Sequence, residues 1–166
     1  MNSTLTQIPA ADRRDGFPRR AIRFLLKGPG EKRWPAARWG ISALAVAGAA
    51  LLVWSSVIHI DLWLDGYSGI SVIGPLFLAQ GIGGIVLALP LAVFRRLVLL
   101  AAGAVTLAGT AAGLLLSVHI GLFGYRESMA VPYAESSLVV EFTGAAVLVV
   151  AALAVLFVPS RPKSNL

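Results

Sequence analysis

The side chains with the richest chemistry in this chain are its two histidines, His59 and His119, and each stands in a copy of one short stretch. The first copy reads Ser56-Val57-Ile58-His59-Ile60-Asp61-Leu62-Trp63 with Gly66-Tyr67 behind it. The second reads Ser117-Val118-His119-Ile120-Gly121-Leu122-Phe123 with Gly124-Tyr125. Both close a long apolar run. Two imidazoles at matching depth on facing helices would suit bis-histidine ligation of a haem b, where each ring approaches the iron from opposite sides. Together with Asp61, Asp65, Glu127 and Glu141 they could instead offer imidazole and carboxylate ligands to zinc, although no dense spacing such as H-x-x-x-H is present. The plainer reading is favoured over both: an imidazole at the end of a membrane helix, beside Trp63 or Phe123, is comfortable at the interface with nothing bound.

Two further polar residues fall inside apolar runs. Gln80 lies about ten residues into its segment, near mid-membrane, where its amide needs a partner on another helix. Glu141 opens the last segment. Inside the hydrocarbon it must be paired or neutral and is a functional candidate by default; one turn nearer the boundary it is an interfacial residue. No other chemistry is legible. The absence of cysteine excludes disulfides, thiolate metal sites and thiol nucleophiles. There is no G-x-S-x-G, no phosphate-binding loop and no H-E-x-x-H. Ser55, Ser56, Ser117, Ser136 and Ser137 read as helix-end or packing hydroxyls, because no base is spaced to activate them.

The elements that must position these groups are membrane helices. Hydrophobic residues make up 57% of the 166 and charged residues 13%, where soluble domains carry roughly 25% charge. Four apolar segments are expected at about 39–60, 70–94, 97–120 and 138–158, each long enough to cross a hydrocarbon layer of ~30 Å. They are framed by a basic, largely disordered tail over 1–38, which has room for an interfacial helix at 19–27, and by a short tail over 159–166. The net charge of +6 does not point to nucleic acid, because the cations crowd at the ends of apolar segments; an anionic lipid leaflet explains them better.

Thirteen of the 14 Lys and Arg fall in the two tails and the Arg95-Arg96 turn, leaving Arg126 alone on the other side. That asymmetry places both termini in the cytoplasm. The recurring histidine stretch predicts two related helical hairpins arranged as parallel repeats. Gly109 and Gly113, in a third segment rich in alanine, predict a smooth helix in the middle of the bundle. Gly81, Gly83 and Gly84 predict a close backbone approach.

His59-x-x-Leu62-Trp63 with Gly66-Tyr67, Ile73-Gly74-x-Leu76-Phe77-Leu78-x-Gln80, and Ser117-Val118-x-x-Gly121-Leu122-Phe123-Gly124-Tyr125-x-Glu127 resemble a group of small four-helix membrane proteins of actinobacteria. The resemblance covers residues 40 to 158. It implies an architecture and a bacterial plasma membrane, and no activity. A fainter likeness is to the four-helix layout of DoxX-like membrane proteins, from which no site is carried over.

The function expected from these features is that of a non-enzymatic accessory or assembly component of the membrane, with homo-oligomers or membrane-protein partners permitted by the small-residue faces. The alternatives are a bis-histidine haem b electron carrier, and a small-solute or ion carrier subunit using Gln80 and Glu141.

Overall fold

The computed structural model describes residues 16–28 and 34–158, with the side chains of 16–20 left aside. The basic residues up to Arg14, the stretch 29–33 and the tail from 159 onward lie outside the described residues. Among the described residues there are five α-helices: α1 (Gly16–Leu25), α2 (Pro35–Leu64), α3 (Ile73–Phe94), α4 (Leu97–His119) and α5 (Ala134–Phe157). The last four are each long and apolar enough to cross a membrane.

Local sequence sets their ends. Pro35 opens α2, where its missing N–H costs nothing. Arg95 in the left-handed conformation stops α3, and Arg96 restarts the chain as α4, giving a hairpin of two residues. At the opposite end of the bundle the connections are longer: a 3-10 turn at Tyr67–Gly69 between α2 and α3, and residues 120–133 between α4 and α5. Helix α5 begins at Ala134, four residues before the expected boundary, and α2 runs from Pro35 to Leu64 rather than from 39 to 60.

Helix α2 is the hub, packing along both α3 and α5, and α4 packs on α5. This corrects the expectation that the third segment occupies the middle. Glycines make the close seams. A Cβ on Gly84 would run into the Ser56 hydroxyl and one on Gly81 into Ile60, so the α2–α3 seam needs both, whereas a Cβ on Gly83, Gly109 or Gly113 would meet nothing. The expected glycine contact therefore holds for Gly81 and Gly84. Gly109 and Gly113 do something else.

The half of the bundle near the Arg95-Arg96 hairpin is a filled apolar core in which Leu52, Leu91, Leu100, Leu107, Leu148 and Val155 are fully buried. Helix α1 is tied to this end. The Lys27 carbonyl accepts from the Leu97 N–H at 2.7 Å, the Arg96 guanidinium donates to the Leu26 carbonyl at 2.8 Å, and the Lys27 ammonium reaches the Leu156 carbonyl at 3.4 Å. The chain before α2 thus serves otherwise orphaned groups at one end of α4 and the other end of α5. Helices α3 and α4 touch each other little, and toward the opposite end the space between them is not filled.

Candidate functional site

That space is a cavity of about 550 Å³ lined by all four spanning helices and by both long connections. Gly109 and Gly113 belong to its wall. Their missing side chains, rather than drawing another helix in, leave room.

The most fully buried polar group of the wall is Glu141, which is 1% exposed. It lies seven residues from the start of α5, which at ~1.5 Å per residue is ~10 Å from that helix end. Gln80 is likewise seven residues into α3, and Thr110 and Ser55 are each nine residues from the ends of α4 and α2 at the same end of the bundle. One polar layer results, with a member from every spanning helix.

Within it the Ser55 and Ser137 hydroxyls both donate to Glu141 Oε1, each at 3.0 Å. Thr110 stands close by, and its hydroxyl also lies within hydrogen-bond distance of the Thr106 and Leu107 carbonyls, at 3.2 and 2.9 Å. Among the described residues Glu141 Oε2 has no hydrogen-bond partner, and the Gln80 side-chain nitrogen finds no acceptor. Buried polar atoms are ordinarily satisfied, and each exception needs a reason. Here one donor and one acceptor, on α3 and α5, are left over beside the same cavity.

His59 stands one turn along α2 from Ser55. Its Nδ1 lies 2.8 Å from the Ser55 carbonyl, and a carbonyl can only accept, so Nδ1 carries a hydrogen. In the neutral ring Nε2 is then a bare acceptor. It lies 4.0 Å from Glu141 Oε1, so a proton resting on either group is felt by the other. Ser55 links the two residues, holding His59 through its carbonyl and Glu141 through its hydroxyl.

The mouth of the cavity is polar and aromatic. Tyr67 stacks on Phe77 with ring centroids 4.9 Å apart and donates its hydroxyl to Glu127 Oε2 at 2.8 Å. The Tyr125 hydroxyl reaches Oε1 of the same carboxylate at 3.4 Å. Positive φ at Phe123 and Gly124 closes a tight turn between Leu122 and Tyr125, and the Glu127 N–H is held by the Ser117 hydroxyl at 3.2 Å. Burial, and then the hydrogen bond to Glu127, raise the Tyr67 pKa well above its usual value, so the phenol remains a donor at any physiological pH. Tyr67→Phe removes one charge-assisted hydrogen bond, worth ~1.5–3 kcal/mol. The expected outcome is a lower melting temperature with α-helical circular dichroism unchanged at 20 °C; an unchanged melting temperature would show that this contact does not fasten the connections.

The other sequence-derived groups are dispersed. His119 is exposed, bonds its own helix through Nδ1 to the Leu115 carbonyl at 2.7 Å, and is not part of the cavity wall. Of the two histidines, His59 lines the cavity and His119 does not. Asp61 is half-buried and close enough to the Tyr133 hydroxyl to raise the pKa of that phenol, while Asp65 is exposed where α2 ends. Among the described residues no three His, Asp or Glu side chains come together where a metal could sit, so the zinc set is not assembled either.

Two parts of the site escape the sequence reading: the serine cradle and the Tyr67–Glu127–Tyr125 cluster. The spacing of the first was available. Ser55 and His59, and Ser137 and Glu141, are each four apart, so each pair shares a helix face. No family model matches the chain, and neither a curated protein nor a solved structure matches it.

Proposed function

We propose that this chain is a small-solute carrier subunit of a bacterial plasma membrane, taking its solute into the cavity between α3 and α4 with Glu141 as anchor. The observation that carries this reading is the unpartnered oxygen of a carboxyl buried in a membrane-spanning helix, facing a space of about 550 Å³. That volume lies within the ~300–1,000 Å³ of small-molecule sites. A charged group costs too much at this depth to be kept without a task. An accessory role would draw on the outer connections alone and would leave the polar layer without a purpose.

The positive-inside asymmetry supports a topology with both termini in the cytoplasm, the cavity mouth facing outward and α1 lying on the anionic inner leaflet. The paired stretches around His59 and His119 support two related hairpins, with Tyr67 and Tyr125 meeting at Glu127 as their shared contact.

Gly109→Leu tests the reading. The position has open space around it and belongs to the cavity wall, so leucine enters the cavity and leaves the seams alone. Native mass spectrometry of the protein released directly from membranes is expected to show a small-molecule adduct on the parent chain that Gly109→Leu and Glu141→Gln each remove. An adduct retained by both variants, or none on the parent, would contradict the carrier reading.

A further inference from the structure

The charge of the cavity wall narrows the class of solute. Among the described residues the wall includes two carboxyl groups, Glu141 in the polar layer and Glu127 near the mouth, and no basic side chain other than the imidazole of His59. The nearest arginine along the chain, Arg126, is turned to the carbonyls of Val118 and His119 at 3.3 and 2.7 Å. The wall also carries Phe77, Tyr67, Tyr125 and Tyr133, and the faces of such rings attract cations. The rest is mainly apolar, as an alkyl or aromatic body requires.

The route is visible as well. Leu76 on α3 and Val105 on α4 both line the cavity, yet are 48% and 72% exposed. Beyond what faces the cavity, apolar surface exposed on a spanning helix faces lipid. The gap between α3 and α4 is therefore a side window as well as part of the wall.

We infer that the solute is a lipophilic amine, entering in its protonated form from the bilayer between α3 and α4 and placing its ammonium on the free oxygen of Glu141. The inference rests on the carrier reading and specifies its substrate. An ammonium group supplies the donor that Oε2 lacks, and a buried carboxylate with a cation beside it is no longer uncompensated. Gln80, one turn below Phe77 on α3, then has its amide nitrogen available for a carbonyl or hydroxyl carried by the amine.

The test compares one alkyl chain with three heads. The full chain in nanodiscs is titrated calorimetrically at pH 7 with n-nonylamine, nonanol and nonanoate, and lipid-only discs supply the partition background. The expected result is saturable binding of nonylamine alone, weakened at least tenfold by Glu141→Gln and abolished by Gly109→Leu. Val131→Lys, which adds a cation to the wall from the α4–α5 connection without touching Glu141, is expected to weaken nonylamine and admit nonanoate.

The other outcomes separate the two claims. If nonanol binds as tightly as nonylamine and Gly109→Leu removes both, the cavity binds solutes but the preference for a cation is wrong. If nonanoate binds the parent chain best, the assignment of charge is reversed and the inference falls. If none of the three binds above the lipid background, both the amine assignment and the carrier reading are contradicted.

Discussion

Glu141→Leu is expected to abolish solute binding and to leave a more stable protein. The two effects share one cause. In the folded chain the carboxyl is 1% exposed, with Oε1 held by two serine hydroxyls and Oε2 by no group among the described residues. Two hydrogen bonds do not offset the desolvation of a buried carboxyl, and replacing buried ionic groups by apolar side chains of similar volume, which sets the scale here, is often stabilising by ~1–4 kcal/mol. The freed serine hydroxyls can turn to carbonyls of the preceding helical turn, as Ser56 already does to Leu52 at 2.8 Å. Thermal unfolding in detergent followed by circular dichroism should therefore show a higher midpoint for the variant. A midpoint lowered by several degrees would mean that Glu141 is a structural tie between α2 and α5, and would remove the argument that stability is given up here for binding.

The second large effect falls on the α2–α3 seam. Gly84→Leu is expected to prevent assembly of the bundle. A Cβ at this position already meets the Ser56 hydroxyl and approaches the Leu52 side chain at 3.5 Å, and three more carbons would have to enter the same place. Overpacking ordinarily costs ~1–3 kcal/mol, and this insertion wedges apart the two helices that hold His59 and Gln80. Without a strong hydrophobic drive between helices in lipid, close packing is what holds such a seam. The measurement is the monodisperse fraction after detergent extraction and size exclusion, expected to collapse for Gly84→Leu. Gly83→Leu, beside it but with open space at its Cβ, should behave as the parent. Equal yields for the two variants would contradict the described packing.

How much of this was legible in the sequence differs between the fold and the site. The four spans follow from uninterrupted apolar runs bounded by Pro35, Arg95-Arg96 and polar connections, because length and charge alone decide whether a helix can cross a bilayer. The rotation of each helix about its axis does not follow. Lipid is as apolar as the core, so hydropathy gives no sign of which face of α4 meets α5 and which faces the cavity.

For that reason Gly109 and Gly113 read as a helix contact when they are cavity wall, and His59 and His119 read as equivalents when only one is buried. Glu141 and Gln80 were visible because a polar side chain in an apolar run is an exception on any face. The serine cradle was hidden by the ordinariness of serine in membrane helices. It becomes recognisable once Ser55–His59 and Ser137–Glu141 are read as pairs four residues apart.

The most direct measurement of the central claim is the reactivity of Glu141 toward a hydrophobic carbodiimide, dicyclohexylcarbodiimide, in intact membranes, located by peptide mass spectrometry. A carboxyl that lines a cavity open to lipid between α3 and α4 should be modified, and Gly109→Leu should suppress the modification by occupying the same space. Modification confined to Glu127 and Glu135, with Glu141 untouched in the parent chain, would mean that the cavity does not reach it and would contradict the account.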